Sequence, residues 1–310
     1  MKKYILLYLH SLISVAFAVQ VDITGAESNK IIGLLKSGQV EIGETISAIS
    51  RRYNVGYDEV IDANPNLNLA TMVSGDVLVI PSKHMVLARP HKGIVVNLPE
   101  KRMYHYKKGL KEITTYPVGV GEIGWDTPMG AMTIIGKRKN PTWYVPNSVW
   151  EKNYKQGITL PKVVAPGLDN PLGSRAMRLS SPSYLIHGTN EPEGVGQRST
   201  AGCISLYPED IVKLYKNTPI DTLVTVVDED LKWYVSSEKI CVEVHNPLKI
   251  LGEQGKGLKN DDRRKMQRAK FMYLASKYSI VKKDQNYWKS IQEDLLGVPQ
   301  CVLLEKGSVL

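Results

Sequence analysis

The stretch from Tyr184 to Leu206 reads YLIHGTNEPEGVGQRSTAGCISL. Its first part is typical of a strand that ends at His187, and its second part is a glycine-containing turn that ends at Cys203. A strand end and a turn of this kind can bring an imidazole and a thiol together, which is what acyl transfer by cysteine requires. The stretch therefore predicts a cysteine nucleophile with a histidine as its base.

Each residue of this pattern has a predicted chemical role. Cys203 is the candidate nucleophile, and we expect His187 to lower the pKa of its thiol and later to protonate the departing amine. Gly202, which lacks a Cβ, permits positive φ or a close approach of the backbone to a substrate carbonyl. The amides of Gly202 and Cys203 are the candidate oxyanion donors, and Thr200 is expected to orient the imidazole through its hydroxyl or carbonyl.

The same residues also have structural interpretations. A lone histidine at a strand end is usually a satisfied polar residue, and an isolated cysteine is usually a small buried hydrophobe. The spacing between His187 and Cys203 favours the catalytic interpretation.

That spacing resembles the pattern of the YkuD-type L,D-transpeptidase family, in which a histidine is followed by twelve residues, Ser or Thr, usually His, and then Gly-Cys. Here residues 188 to 199 follow His187 and precede Thr200, Ala201, Gly202 and Cys203. The resemblance covers Gly93 to Asp228 and includes Pro117–Gly121, Thr127–Gly130, Asn140–Trp143, Asn170–Gly173 and Leu206–Asp210. It implies a mainly β catalytic domain of the YkuD-like β-sandwich type at residues 93–228, with no metal or organic cofactor. Frequent Gly and Pro with few long helical patterns agree with a mainly β core.

Two positions depart from the family pattern. Ala201 stands where many members have a second histidine, although some members lack it. Ser205 stands where Arg or Asn is usual, so a multidentate donor is missing two residues beyond the nucleophile. Arg198 and Gly188 are predicted to contact substrate, Arg198 through acidic groups of a stem peptide.

The resemblance implies that Cys203 attacks the diaminopimelate–D-Ala bond of a peptidoglycan tetrapeptide stem and forms a thioester acyl-enzyme. The acyl group then passes to an amine, either of another stem to give a 3→3 crosslink or of a lysine on an outer-membrane lipoprotein. Transfer to water would make the enzyme an L,D-carboxypeptidase. The alternatives are a non-catalytic wall-binding scaffold with a decayed active site and a general cysteine protease, which the motifs disfavour.

A compact unit precedes this domain at residues 38–81. Helical patterns from about Thr45 to Tyr53 and from about Tyr57 to Asn64 lie before the strand-like segment Val77–Ile80, and Thr45 is the expected N-cap of the first helix. The unit resembles a LysM module, a small βααβ domain that binds the N-acetylglucosamine-containing glycan of peptidoglycan. Three pieces carry the resemblance: Gly43–Ile49, Ala63–Pro65 and Ser74–Pro81.

The glycan groove of that family maps onto two segments of this unit. The predicted glycan-binding residues are Gly43, Glu44, Thr45, Ile46, Asn64, Pro65 and Asn66. Linked binding modules raise local substrate concentration, so deletion of the unit is expected to weaken sacculus binding while leaving turnover of a soluble stem peptide. A folding module without a ligand is the alternative.

Residues 249–310 form a predicted helical C-terminal extension, because their composition is polar and basic and their apolar residues have helical spacing. Asn260 to Lys277 is the first predicted helix, and Trp288, Ile291, Leu295 and Leu296 indicate a second. We expect these helices to pack against the preceding domain.

The chain has three cysteines, Cys203, Cys241 and Cys301. In an oxidising compartment an odd number leaves at least one thiol free or paired between molecules. Pairing of Cys241 with Cys301 is one possibility, although spacing alone does not establish it.

The N-terminus is typical of a secretory signal peptide. Lys2 and Lys3 precede an apolar stretch that ends near Ala16–Ala18, so residues 1–18 are predicted to be removed on export to the periplasm. No later segment has an apolar run of spanning length, so no stable membrane insertion is expected after cleavage. The formal net charge of +9 suits an anionic polymer such as cell-wall glycan, or it serves solubility alone, and export argues against a nucleic-acid partner.

Overall fold

The computed structural model describes residues 20–22, 30–68, 71–87, 92–107, 112–248, 260–294 and 296–305. The predicted signal peptide, residues 1–18, lies outside this part of the chain. Within the described residues, no helix has both the length and the apolar character needed to cross a membrane.

The N-terminal part contains two helices between short strands. Its elements are β1 (Gln20–Asp22), β2 (Ile31–Gly33), β3 (Lys36–Gln39), α1 (Ile46–Tyr53), α2 (Tyr57–Ala63), β4 (Val77–Ile80) and β5 (Lys83–Met85). Both predicted helices and the closing strand are confirmed, and the hydroxyl of Thr45 caps α1 by accepting a hydrogen bond of 3.2 Å from the amide of Ala48. Strands β3 and β4 pair antiparallel, and Ile49, Val60 and Ile80 lie in the core of this LysM-like module.

The central domain is built on strands with two helices. Its elements are β6 (Gly93–Asn97), β7 (Arg102–Tyr106), β8 (Glu112–Pro117), β9 (Val120–Gly121), β10 (Gly130–Lys139), β11 (Trp143–Tyr144), α3 (Asn147–Lys155), β12 (Val163–Val164), β13 (Arg175–Leu179), β14 (Leu185–His187), β15 (Arg198–Thr200), β16 (Ile204–Ser205), α4 (Pro208–Asn217) and β17 (Leu223–Val227). The mainly β prediction is confirmed.

Nine strands form one sheet, in the order β1-β8-β7-β6-β17-β10-β13-β14-β16. Strands β6 and β7 pair antiparallel, and β17 adds to the other side of β6 in parallel. One face of the sheet is covered by α4, whose Ile211 and Leu214 join the core formed by Ile94, Met177 and Ile186. This helix begins directly after the segment that carries Cys203, so its packing fixes one flank of the candidate nucleophile.

The C-terminal unit contains a sheet as well as the predicted helices. Its elements are β18 (Leu231–Val235), β19 (Lys239–Val244), α5 (Asn260–Lys277), α6 (Gln285–Asp294) and β20 (Gln300–Leu303). The predicted helix from Asn260 to Lys277 is confirmed, and Trp288 and Ile291 are buried on α6. Leu295 lies outside the described residues, and Leu296 follows the end of α6.

The apolar faces of the two helices pack on the three-stranded sheet β18-β19-β20, and Arg263 of α5 also pairs with Asp228 at the end of the central domain. Periodicity did not predict this sheet, because β20 pairs with β19 across the whole helical segment. Cys241 and Cys301 are register partners in this pair and form a disulfide, which leaves Cys203 as the free cysteine.

A buried network of charges joins the C-terminal unit to the central domain. The Nζ of Lys232 contacts the carboxylates of Glu100 and Glu243, and Nε2 of His245 lies 2.7 Å from Glu243. Burial alone would raise the pKa of Glu243, but Lys232 and the hydrogen bond from His245 lower it to about 2. Glu100 belongs to the central domain and Lys232 to the C-terminal unit, so each unit supplies a countercharge for a buried charge of the other.

Candidate active site

Strand pairing brings the predicted histidine and cysteine to the same part of the sheet. His187 is the last residue of β14 and is the register partner of Ser205 in the parallel strand β16. Side chains two residues apart on a strand point to the same face. Cys203 directly precedes β16, and continuing the parallel register places it opposite Leu185, two residues before His187.

The imidazole of His187 is held in one orientation. Its Nδ1 lies 2.5 Å from the carbonyl oxygen of Gly188. Because a carbonyl only accepts, Nδ1 carries the proton and the neutral ring leaves Nε2 unprotonated. Burial lowers the pKa of His187 to about 4, against the raising effect of the backbone of Gly188 and Pro171. The ring is therefore neutral at physiological pH and can accept a proton through Nε2.

The Asn170–Gly173 segment contacts this histidine through the backbone of Pro171, a contact that the sequence did not predict. Asn170 is fully buried, and its side-chain amide donates to the carbonyl oxygens of Pro141, Val164 and Ala165. Its Oδ1 accepts from the amide of Leu172 at 2.9 Å. The family motif at Asn170–Gly173 was visible in the sequence. The hydrogen bonds of Asn170, however, join separate parts of the chain, so the motif alone did not reveal them.

Gly202 is required by the shape of the turn that carries Cys203. Its φ is +95°, and a Cβ at this position would lie 2.7 Å from Cε1 of Tyr184. The expectation of positive φ at Gly202 is confirmed. Tyr184 is thus a wall of the site that the sequence analysis did not identify.

The thiol of Cys203 contacts the protein backbone. Its Sγ lies 3.8 Å from the carbonyl oxygen of Ser183, a residue with φ of +70°. Burial raises the pKa of Cys203, and a backbone hydrogen bond with Leu185 only partly opposes that effect. The expectation that His187 lowers the thiol pKa is therefore wrong for the resting protein, since His187 is buried and neutral and the pKa of the half-buried Cys203 is raised.

Thr200 braces the turn instead of the imidazole. Its hydroxyl donates to the carbonyl oxygen of Cys203 at 2.6 Å, and its own carbonyl accepts from the amide of Glu122 at 2.9 Å. Neither group contacts His187, so the expected orienting role of Thr200 is wrong. A hydroxyl three residues before the nucleophile closes the turn on itself more easily than it reaches a neighbouring strand.

The amides predicted as oxyanion donors remain available. Among the backbone hydrogen bonds of the described residues, the amides of Gly202 and Cys203 are not donors. Arg198 is different, because its guanidinium contacts the carboxylate of Asp126 and donates to the carbonyl oxygen of Gly121 at 2.8 Å. Its expected contact with substrate thus competes with an internal ion pair.

Two further predicted positions have packing roles. A Cβ on Gly188 would lie 2.9 Å from Cγ2 of Ile211, so the absence of a side chain lets β14 lie close to α4. Ser205 is buried and exchanges two backbone hydrogen bonds with Gly119. A Cβ on Gly119 would lie 2.3 Å from Oγ of Ser205, which leaves little space there for the longer side chain usual in the family.

A cavity of about 430 Å³ borders the same turn. Its lining residues are Trp125, Ser148, Glu151, Lys152, Lys155 and Gln156. The carbonyl oxygen of Trp125 lies 3.3 Å from the position of a Cβ on Gly202.

The predicted glycan-binding residues divide into two groups. Four of them have internal roles: Asn64 bonds to the backbone of Val60 and Val79, Glu44 pairs with Arg52, Thr45 caps α1, and Ile46 is in the core. The expectation that the side chains of Asn64, Glu44, Thr45 and Ile46 bind glycan is therefore not supported by their contacts. Gly43, Pro65 and Asn66 are exposed at the open end of the two-helix hairpin.

One group of described side chains has metal-ligand chemistry. Ligand atoms of His84, Glu100 and Glu243 lie within 4.8 Å of one another, and all three residues are buried. The ammonium of Lys232 contacts both carboxylates, so this group already has its cation.

Comparison with known families and proteins agrees with both resemblances. The L,D-transpeptidase catalytic domain family, YkuD, matches residues 91–226, and the LysM domain family matches residues 39–81. The chain is 39% identical over 228 residues to the probable L,D-transpeptidase YcfS of Escherichia coli strain K12, covering 71% of each chain. It is 34% identical over 236 residues to the probable L,D-transpeptidase YbiS of the same strain, covering 74% of this chain and 76% of that protein.

Among solved structures, the chain is similar to the NMR structure of the catalytic domain from an E. faecium L,D-transpeptidase. The sequence identity is 20% and the TM-score is 0.35, with 45% of this chain and 99% of that one covered.

Proposed function

Because the chain belongs to the YkuD family of L,D-transpeptidases, we propose that Cys203 attacks the diaminopimelate carbonyl of a tetrapeptide stem and expels the terminal D-Ala. The observation that supports the proposal is the pairing of β14, which ends at His187, with β16, which begins directly after Cys203. The catalytic domain is proposed at residues 93–228.

The proposed reaction starts with the thiol of Cys203 and the imidazole of His187 both neutral. As the bond from Sγ to the carbonyl carbon forms, Nε2 of His187 takes the thiol proton, and the amides of Gly202 and Cys203 stabilise the oxyanion. The C–N bond then breaks, and His187 returns the proton to the amine of D-Ala. The product of this half-reaction is a thioester on Cys203.

An acceptor amine completes the transfer. Its nitrogen attacks the thioester carbonyl, His187 accepts a proton, and the Cys203 thiol is regenerated. The acceptor is diaminopimelate of another stem, which gives a 3→3 crosslink, or a lysine of an outer-membrane lipoprotein. Water in the same position gives an L,D-carboxypeptidase.

The LysM domain and the catalytic domain both point to peptidoglycan as the partner. The glycan is proposed to bind at the open end of the hairpin, beside Gly43, Pro65 and Asn66, in a module spanning residues 38–81. Action on this polymer requires an extracytoplasmic location, and the signal peptide at residues 1–18 is proposed to direct the chain to the periplasm. Residues 249–310 form the proposed C-terminal extension.

The test is incubation of the full mature chain with a soluble diaminopimelate tetrapeptide, followed by mass spectrometry. We expect release of D-Ala and a thioester adduct on Cys203, both absent from Cys203→Ala. Offering a stem amine and a lipoprotein peptide together then identifies the acceptor from the mass of the product. If wild type released no more D-Ala than Cys203→Ala, the non-catalytic scaffold would replace this proposal.

A further inference from the structure

The LysM domain docks on the loop that leads to the nucleophile. The contact is made by the turn between α1 and α2 together with the start of α2, residues Asn54–Glu59, here called the hairpin turn. Its amides at Tyr57 and Asp58 donate to the carbonyl oxygens of Val195 and Gly196, each at 3.3 Å. The loop from Gly196 then enters β15 and reaches Cys203 after seven residues.

The two backbones approach as closely as glycine permits. A Cβ on Gly196 would lie 2.3 Å from Cα of Gly56, and the φ of Gly196 is +82°. A Cβ on Gly56 would lie 3.0 Å from Cα of Gly196. Any side chain at either position would therefore move the loop.

The same region of the module also holds the chain that follows Cys203. Helix α4 begins five residues after the nucleophile. Three hydrogen-bonded pairs connect it to the module: Val55 O with Tyr207 Oη at 3.1 Å, Asn54 with Asp210 at 3.0 Å, and Arg51 with Glu209 through two bonds of 3.1 and 2.9 Å. The segment containing Cys203 is thus held by the module on both sides.

A buried ion pair fixes the hairpin turn to the catalytic sheet. Arg102 donates to Glu59 at 2.7 and 2.6 Å, and the two side chains are 1% and 6% exposed. Lys101 pairs with Asp58 at 2.9 Å beside it. Removal of residues 38–81 would take away Glu59, the carboxylate that pairs with Arg102, so the expectation that a deleted chain keeps its turnover does not follow from these contacts.

We propose that the hairpin turn is a positioning element of the active site, which sets the loop carrying Cys203 relative to His187. The proposal rests on the proposed function and deepens it, because the LysM domain becomes part of the catalytic apparatus. The proposed glycan site lies at the other end of the hairpin, about 12 Å away along α1, so docking leaves it open.

The test uses Gly56→Ala in the full chain. The added methyl displaces Gly196 by a few tenths of an ångström, while φ of Gly56 is −80° and suits alanine. We expect kcat for a soluble tetrapeptide stem to fall about tenfold with KM within about twofold, because reacting groups tolerate little misplacement. The pH midpoint of Cys203 alkylation by iodoacetamide should move down, since a displaced loop exposes the thiol to water.

The matched control is Gly136→Ala in β10, where the new Cβ would lie 3.8 Å from its nearest neighbour, Cβ of Arg178. This variant should keep the wild-type kcat and alkylation midpoint. A Gly56→Ala protein that melts at a lower temperature but retains both values would overturn the proposal. If wild type releases no D-Ala, the proposed function fails, and the alkylation midpoint alone still tests the positioning.

A charge exchange provides a second test that does not depend on close packing. Arg51 and Glu209 are 44% and 36% exposed, so changing them should leave the fold intact. Arg51→Glu and Glu209→Arg should each lower kcat about threefold, and the double variant should return within about twofold of wild type. Wild-type kcat in both single variants would contradict the proposal.

Discussion

The side-chain amide of Asn54 donates a hydrogen bond of 3.0 Å to the carboxylate of Asp210, which is wholly buried at the start of α4. Burial raises the pKa of Asp210 to about 6, although Lys213 and Asn54 act to lower it. The junction between the LysM domain and the catalytic domain thus contains an acid that titrates close to physiological pH.

Stability should therefore fall as pH rises from about 4 to 6. The folded state holds the Asp210 proton above the pH at which the unfolded state releases it, so the stabilisation is complete below the unfolded pKa and is lost as pH rises through the folded pKa. Relative to Asp210→Asn, the wild-type free energy of unfolding should drop by up to about 3 kcal/mol across this range. Urea unfolding at a series of pH values measures it. The exposed-residue control Glu41→Gln should parallel wild type, and an equally parallel Asp210→Asn would contradict the prediction.

The thiol of Cys203 in the resting enzyme should ionise at a higher pH than an ordinary cysteine. Burial raises the pKa of Cys203 and lowers that of His187 to about 4, so we expect an alkylation midpoint above the usual cysteine range. Turnover should decline as pH falls towards 4, because protonation removes the base. His187→Ala should lower kcat by about 10² to 10⁴ and abolish this acidic limb. A thiol midpoint well below pH 7 would instead indicate a preformed thiolate–imidazolium pair.

Gly202→Ala should inactivate the enzyme without unfolding it. The methyl would lie 2.7 Å from the ring of Tyr184, and φ of +95° strains any side chain, so the turn must move. We expect kcat to fall by at least about 10² on a soluble stem. Circular dichroism and thermal melting check the fold, with Gly136→Ala as control. Activity within a few-fold of wild type would mean that the turn is not set by this contact.

The disulfide should stabilise the chain without taking part in catalysis. Cys241 and Cys301 are separated by 60 residues, and replacing both by serine should cost about 2–4 kcal/mol in free energy of unfolding. Thiol titration of the unreduced, denatured protein should count one thiol, and labelling should locate it at Cys203. A count of three thiols would exclude the bond.

Local patterns predicted the local structure well. The spacing of Ile46 and Ile49 and the hydroxyl of Thr45 defined α1 within one residue, because helical periodicity and capping depend on neighbours in sequence. The family pattern placed His187 and Cys203 on two segments that are neighbours in the sheet, the end of β14 and the approach to β16. These signals act over a few turns of helix or one strand pair.

The rest of the site depended on contacts between distant parts of the chain. The raised thiol pKa results from burial, and burial of Cys203 is decided by the folded turn and its surroundings. The bond from Asn54 to Asp210 joins residues 156 positions apart, and no periodicity records such a partner. For the same reason the strand β20 and the internal roles of Thr200 and Asn64 became evident only in the fold.

The contacts that hold the LysM domain against the catalytic domain have a consequence for the cell wall. A sugar chain bound at the proposed glycan site would keep one distance and one direction from Cys203, so only stems that project towards the thiol from a given repeat would react. Crosslinks made during a single binding event would then be spaced at regular intervals set by the repeat of the glycan.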